Sequence, residues 1–164
     1  MRLTALGEAP YAFASTLDRE RDDEPAQWRE RLTRHPWFLA CADDEPAGLA
    51  AGVPSSDGLT ERRHLISMWV RPSHRGLGLA ALLIDAVREW AIADGARELA
   101  LWVADGNEAA VRAYARAGFV ATGKRQPLPS NPSVGEEQWL LALTAPGALD
   151  QPERGTSPTG KMRR

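Results

Sequence analysis

Hydrophobic and polar positions follow two different spacings along this chain, and these spacings predict its elements. Between Leu77 and Trp90, apolar side chains recur three and four residues apart, while Asp85 and Arg88 lie off that stripe. This spacing is typical of an amphipathic helix with one buried face. Shorter apolar stretches, such as 62–70, are rich in β-branched and aromatic residues, which favour strands.

The two spacings alternate over most of the chain. The predicted helices span residues 2–8, 25–34, 77–94 and 107–119. The predicted strands span residues 37–43, 47–53, 62–70, 97–105, 119–125 and 136–144, with solvated loops over 18–24 and 126–135. This order of helices, antiparallel strands, helix, strand, helix and two strands predicts an α/β or α+β fold with helices packed on one sheet.

The composition indicates one soluble domain. The chain has 164 residues, of which 43% are hydrophobic and 26% charged, as is ordinary for a globular protein. We assign the domain to residues 1–144 and expect residues 145–164, which have few large apolar side chains, to form a disordered tail. The net charge of −2 at pH 7 argues against a nucleic-acid partner, which favours basic domains.

The sequence also bears on location and on covalent chemistry. No apolar run approaches the roughly 18 residues that a membrane span needs, and the N-terminus lacks an apolar signal segment. Cys41 is the one cysteine, so no intramolecular disulfide can form. These features predict a cytoplasmic protein with no membrane partner and no metal site.

Two glycines interrupt the start of the longest predicted helix. They lie in the segment Arg75-Gly76-Leu77-Gly78-Leu79-Ala80, although a glycine within a helix costs about 1 kcal/mol relative to alanine. The first turn of a helix has unpaired N–H groups and a partial positive charge, so it binds phosphate. Because glycine lets a ligand approach the backbone, we predict a phosphate site here, with Arg71 and Arg75 available to pair with the phosphate.

The same two glycines are compatible with two further roles. Gly76 and Gly78 could instead allow tight packing of the helix against the sheet. Gly76-x-Gly78-x-x-Ala81 also matches the dinucleotide-binding pattern. Five residues, 71–75, separate the predicted strand from Gly76, however, whereas the dinucleotide pattern follows its strand directly.

The glycine segment and a second motif together resemble the GNAT acyltransferase superfamily over about residues 2–144. The family's acyl-CoA signature, Q/R-x-x-G-x-G/A, corresponds to residues 75–80. A later motif of Asn, an apolar helix, Tyr and Gly-Phe is matched by Asn107, Tyr114, Gly118 and Phe119. The resemblance implies a single-domain, mixed and mostly antiparallel sheet with splayed central strands, often with a β-bulge, and flanking helices.

The resemblance also implies roles for individual residues. The backbone of the glycine turn would bind the pyrophosphate of acetyl-CoA, at Arg75, Gly76, Leu77, Gly78, Leu79 and Ala80. The pantetheine arm would pair with Met68, Trp69 and Val70 and receive a hydrogen bond from Asn107. Tyr114 would be the general acid that protonates the departing thiolate, and a core aromatic is its alternative role.

The catalytic base is harder to assign, because relatives often place a glutamate on one of the splayed strands. Here the interiors of both strands lack a carboxylate. His64 is the one interior group with a pKa near neutral, so it is a possible base. A water chain to Glu61, to Asp105 or to the acidic segment 18–24 is the alternative.

The start of the chain also differs from the family pattern, since relatives begin with a strand before the first helix. That first strand is missing here, and we expect the sheet to begin at about Trp37 with an uncovered edge.

The implied function is transfer of an acetyl group from acetyl-CoA to a primary amine of a small molecule or a peptide, by direct attack. The acceptor would lie between segment 11–25, whose acidity suits a cationic amine, and segment 124–137. The protein would be a monomer or a homodimer. A catalytically idle acyl-CoA-binding module is the alternative, and a dinucleotide-dependent enzyme is a third.

Overall fold

Six strands form a single sheet with helices on both faces. A computed structural model of the protein describes residues 1–56 and 58–143, so the predicted tail lies outside the described residues. The strands are β1 (Trp37–Ala42), β2 (Glu45–Pro54), β3 (Arg62–Val70), β4 (Glu98–Ala104), β5 (Val120–Leu128) and β6 (Asn131–Ala142). The α-helices are α1 (Arg2–Glu8), α2 (Leu17–Glu20), α3 (Pro25–Arg34), α4 (Leu79–Ala93) and α5 (Glu108–Arg116), and 3-10 turns lie at Pro10–Ala12 and Pro72–His74.

The sheet has the strand order β1-β2-β3-β4-β6-β5. Neighbouring strands are antiparallel except β3 and β4, which are parallel. This confirms the predicted mixed, mostly antiparallel α/β fold. β1 begins at Trp37 and lies at one edge of the sheet, as expected. None of the described helices is long and apolar enough to cross a membrane.

The two central strands separate along most of their length. β3 pairs with β4 only from Arg62, opposite Glu98, to His64, opposite Ala100. Beyond His64, β3 bends through a bulge: three residues lead from Trp69 to Ile66, whereas two lead from Leu49 to Ala51 on β2. Ser67, inside the bulge, has a left-handed φ of 59°. The implied splay and bulge are therefore both present.

Apolar side chains fill both faces of the sheet. On one face, the buried stripe of α4, Tyr114 of α5 and Phe119, which follows α5, pack against alternate residues of β4, namely Leu99, Leu101 and Val103. On the other face, Leu6 of α1 and Phe13 pack against Leu49 and Trp69. α4 lies very close to β2, because a Cβ at Gly48 would be 3.0 Å from the Leu83 side chain. The two helical layers thus cover opposite faces of the splayed strands.

The last two strands are longer than predicted. Residues 126–135, which the sequence indicated as a loop, mostly continue the β5–β6 hairpin, and only residues 129 and 130 lie between the strands. Pro127 pairs with Gly135 within this extension. β5 is an edge strand, where a proline is tolerated because it needs no hydrogen bond on its outer side.

The acidic segment 18–24 is not the solvated loop that its charges predicted. Its first part belongs to α2, and Glu20 is buried. Arg2 Nη2 lies 2.8 Å from Glu20 Oε1 and Arg31 Nη1 lies 3.3 Å from Glu20 Oε2. Burial opposes ionisation, but hydrogen bonds from Arg2 and Ser15 and the charges of Arg2 and Arg31 outweigh it and lower the pKa of the Glu20 carboxyl. Two of the five acidic side chains of the segment, Glu20 and Asp23, are thus mostly buried and paired with arginines, whereas Asp18, Asp22 and Glu24 stay exposed.

We expect Glu20→Gln to destabilise the protein by about 3 kcal/mol at neutral pH, because it leaves the mostly buried guanidinium of Arg2 without its counter-ion. Since folding lowers the pKa of Glu20, its contribution is complete above the ordinary value of 4.5 and is lost as the pH falls through the folded value. Chemical denaturation at neutral and at acidic pH measures both effects. Asp18→Asn, which removes the exposed pair with Arg21, is the control and should change little. Equal effects of the two substitutions at neutral pH would contradict this prediction.

Candidate active site

A cleft of about 780 Å³ opens where β3 and β4 separate. Its walls come from β3, the start of α4, the end of β4, α5 and the 3-10 turn at Pro10–Ala12. It brings together most residues that the sequence predicted for the site, namely Met68, Trp69, Val70, Arg75, Gly76, Gly78, Leu79, Ala80, Asn107 and Tyr114. Leu77 and His64 are not among the lining residues.

The two glycines before α4 are required by the backbone conformation. Gly76 has a φ of 83°, and Gly78, the N-cap of α4, has a φ of 82°. A Cβ at either position would meet nothing within 4 Å, so tight helix packing is not their role. Left-handed φ values of this kind are readily adopted by glycine alone.

The N-terminus of α4 is open to the cleft. No side chain caps it, and the first turn closes with a hydrogen bond from Leu82 N to Gly78 O at 3.2 Å. The N–H groups of residues 79–81 therefore have no acceptor within the helix. With the positive end of the helix dipole, they form a cradle suited to a phosphate. A 3-10 turn separates this cradle from β3, unlike the direct strand-to-helix turn of dinucleotide folds.

The flanking arginines also bind the protein itself, and their pairing with a phosphate stays a prediction. Arg71 Nη2 donates to Pro46 O at 3.3 Å. Arg75 Nε donates to Val70 O at 3.1 Å and its Nη2 donates to Glu8 Oε2 at 2.9 Å. The same Glu8 oxygen accepts a hydrogen bond from the Trp69 indole at 2.8 Å. Arg75 thus fixes the glycine turn to β3 and α1.

Asn107 and Tyr114 reach the cleft from α5. Asn107 is the N-cap of this helix, and its Oδ1 accepts a hydrogen bond from Ala110 N at 3.2 Å, which leaves the side-chain NH₂ for a ligand. Tyr114 is 6% exposed and packs edge-on against Phe119, with ring centroids 5.7 Å apart. Burial raises the pKa of the Tyr114 phenol, so at neutral pH this group is a proton donor.

The bases considered from the sequence lie away from the cleft walls. His64 Nε2 is 3.1 Å from Ser55 Oγ, in the segment of β3 that still pairs with β4. Glu61 forms an ion pair with Arg97 at 3.0 Å, and Asp105 forms one with Arg125 at 2.6 Å. None of the three lines the cleft.

Two buried polar residues of β6 were not predicted to have a role. Glu136 and Gln138 are 5% and 4% exposed. Because side chains alternate along a strand, both face the same side of the sheet as Leu140. That pattern alone did not reveal which side is the cleft side.

Comparison with known proteins agrees with this geometry. The family model described as Acetyltransferase (GNAT) family matches residues 5–119. Streptothricin acetyltransferase of Streptomyces lavendulae is 32% identical over 130 residues, which cover 79% of this chain and 68% of that protein.

Similar solved structures share the fold. Ribosomal-protein-alanine N-acetyltransferase from Brucella melitensis has a TM-score of 0.67 at 20% identity, over 86% of this chain and 91% of that chain. A proposed streptothricin acetyltransferase from Bacillus anthracis, in complex with acetyl coenzyme A, has a TM-score of 0.57 at 20% identity, over 66% of this chain and 62% of that chain. Since the family model matches most of the described chain, including the glycine turn and Tyr114, this acyltransferase belongs to the acetyltransferase (GNAT) family.

Proposed function

We propose that this protein is an acetyl-CoA-dependent N-acetyltransferase that acts on a primary amine of a small molecule. The observation that carries the proposal is that the uncapped start of α4 and the buried phenol of Tyr114 line one cleft between splayed strands. The first suits a diphosphate, and the second suits a leaving group that must be protonated.

The cleft offers complementary groups to an acyl-CoA along its length. The N–H groups of residues 79–81 would bind the diphosphate. Beyond His64, the edge of β3 that faces β4 pairs with no strand of the described residues, so its backbone groups are available to the amides of the pantetheine arm. Asn107 would donate its free NH₂ to the same arm.

The reaction would be direct acyl transfer between two bound substrates. The thioester supplies an activated acetyl group. A backbone N–H near Trp69 or Val70 would stabilise the oxyanion that forms when the amine attacks. Tyr114 would protonate the sulfur as it leaves, since a phenol that stays protonated at neutral pH can act as a general acid. Holding both substrates in one cleft supplies part of the rate enhancement.

A small-molecule acceptor is favoured by the streptothricin acetyltransferase that is 32% identical to this chain. Streptothricin is therefore the first acceptor to test. A peptide amine is the second, since the fold also resembles an enzyme named for ribosomal-protein alanine.

The test combines binding with turnover. Isothermal titration with acetyl-CoA and desulfo-CoA measures donor binding, and release of free thiol from acetyl-CoA measures transfer to streptothricin, spermidine, lysine, benzylamine and an alanine-ended peptide. We expect donor binding and thiol release with at least one small amine. Absence of binding at millimolar donor would overturn the proposal. Binding without turnover of any amine would favour an idle acyl-CoA-binding module instead.

A further inference from the structure

Three polar residues other than Tyr114 are buried among the described residues, and of the two that carry a carboxylate only one is paired with an arginine. They are Glu20, Glu136 and Gln138. Glu20 is paired with Arg2 and Arg31. Glu136 and Gln138 lie two residues apart on β6, so their side chains share one face of the sheet.

These two residues have few partners of their own. Glu136 Oε1 accepts a hydrogen bond from Gln126 Nε2 at 2.6 Å, but within residues 1–56 and 58–143 the carboxylate has no ion-pair partner. The side-chain amide of Gln138 makes no hydrogen bond to any described residue. Among the described residues, Asp23 Oδ2 is the buried side-chain polar atom that lacks a hydrogen-bond partner. The unpartnered polar atoms of Glu136 and Gln138 are therefore still reachable from solvent although both residues are mostly buried, and a ligand could bind them.

The register of the sheet places both residues beside the cleft. Glu136 is opposite Ala104 and Gln138 is opposite Trp102, and both of these β4 residues line the cleft. Directly opposite side chains in an antiparallel pair have Cβ atoms about 5 Å apart. Glu136 and Gln138 do not line the cleft themselves, but they lie in the row of side chains next to its β4 wall.

The face they occupy is the one opposite α4 and α5. Leu101 and Val103 of β4 point into the core under those helices, so Trp102 and Ala104, which alternate with them, point to the α1 face. There, Ser130 Oγ donates to Phe13 O at 2.5 Å. This contact joins the β5–β6 hairpin to the chain just after the 3-10 turn Pro10–Ala12, which lines the cleft.

Trp102, which lines the cleft from β4, already contacts one ammonium group. Lys124 Nζ lies 5.7 Å from the centre of the Trp102 ring, a cation–π arrangement. An amine acceptor at neutral pH is also an ammonium ion, and it needs a group that binds its charge and takes a proton before attack. Burial raises the pKa of the Glu136 carboxyl, which makes it a better proton acceptor than an exposed carboxylate.

We propose that Glu136 is the acceptor-side base of this enzyme: its carboxylate binds the ammonium group of an aliphatic primary amine beside Gln138 and takes one proton from it. This inference rests on the proposed N-acetyltransferase function. It adds that the acceptor is an amine that binds the enzyme as an ammonium ion.

The protons balance in the resulting step. One proton moves from the ammonium nitrogen to Glu136, and the nitrogen then bonds to the acetyl carbonyl carbon. The carbon–sulfur bond breaks, and the sulfur leaves with the electron pair and takes the Tyr114 proton. The second surplus proton on nitrogen restores the Tyr114 phenol, through water, and Glu136 releases its proton to solvent.

The test compares two acceptors of similar shape, benzylamine and O-benzylhydroxylamine. Benzylamine is an ammonium ion at neutral pH, whereas O-benzylhydroxylamine is a neutral amine that needs no proton acceptor before attack. We expect Glu136→Gln to lower kcat/KM for benzylamine by about 10²-fold and to leave that for O-benzylhydroxylamine within about 3-fold of wild type. Glu136→Asp should recover part of the benzylamine activity.

Glu137→Gln is the matched control, since Glu137 is the next residue on β6, faces the other side and lies 3.8 Å from Arg125. We expect this substitution to leave kcat/KM unchanged for both acceptors. Thermal unfolding of Glu136→Gln should match or exceed wild type, because a neutral isostere replaces a buried unpaired carboxylate.

Four results would overturn the inference. The first is a wild-type kcat/KM for benzylamine in Glu136→Gln, and the second is an equal loss of kcat/KM with both acceptors. The third is a loss in Glu137→Gln as large as that in Glu136→Gln. The fourth is that the enzyme acetylates other amines of the panel but neither benzylamine nor O-benzylhydroxylamine. Absence of thiol release with every amine is a different result, and it would overturn the proposed function as well.

Discussion

Tyr114→Phe should lower kcat for acetyl transfer by about 10³-fold, within the range that general acid catalysis contributes. The phenol lies at the cleft, and its raised pKa keeps the proton on the oxygen at the pH of the reaction. Phenylalanine retains the ring that packs against Phe119. The dissociation constant for CoA should therefore stay within about 3-fold of wild type, since the proposed binding groups are the N–H groups of residues 79–81, the β3 backbone and Asn107. Single-turnover thiol release and isothermal titration separate the two quantities.

The control is Tyr11→Phe, because Tyr11 also lines the cleft but is 54% exposed. We expect it to retain most of the activity. A pH profile adds a second check: a general acid loses activity as the pH rises through its pKa, so the raised pKa should keep kcat from declining on the alkaline side below about pH 10. Wild-type kcat in Tyr114→Phe would remove Tyr114 from the mechanism and favour its alternative role as a core aromatic.

Gly78→Asp should raise the dissociation constant for CoA by about 10³-fold. The new carboxylate would lie at the first turn of α4, where we propose that the diphosphate binds. Two like charges about 4 Å apart repel by roughly 4 kcal/mol at an effective dielectric of about 20. Aspartate is also a good N-cap and tolerates left-handed φ values better than most residues, so the helix should still form.

Two matched variants separate charge from backbone strain. Gly78→Asn has nearly the same shape as Gly78→Asp without the charge, and we expect it to bind CoA far more tightly. Gly95→Asp has a comparable strain, with a φ of 79° and nothing near the added Cβ, but it follows the other end of α4. It should leave CoA binding unchanged. Equal CoA affinities for Gly78→Asp and Gly78→Asn would exclude this helix end as the diphosphate site.

The sequence predicted most elements correctly where one spacing persists for two or more helical turns. α4 and α5 have such spacings, and glycine or asparagine signals mark their ends. The length of the β5–β6 hairpin was underestimated because turn-forming residues such as Pro127 are unusual in strands. Its position at a sheet edge, which makes proline acceptable there, is a property of the assembled sheet.

The residues of the candidate site could be predicted where they belong to a sequence motif. They could not be predicted where contacts between residues far apart in the chain determine a side chain's partners or burial. The sequence did not reveal that Arg75 binds Glu8, which lies 67 residues earlier. Glu20 seemed solvated, but Arg2 lies 18 residues before it. Glu136 shows the same limit, since its burial depends on which face of β6 turns toward α1. Local patterns do not contain these pairings.

Within the part of the chain that the structure describes, β3 and β4 pair over three rungs, from Arg62–Glu98 to His64–Ala100, and Glu61 O adds hydrogen bonds from Arg97 N and Glu98 N just before them. A donor that occupies the gap beyond them would act as a missing strand and tie both halves together. Amide hydrogen exchange should therefore slow along β3 and β4 when CoA binds, including at positions that the ligand does not touch. In this fold, part of the sheet's cohesion would come from the molecule that it binds.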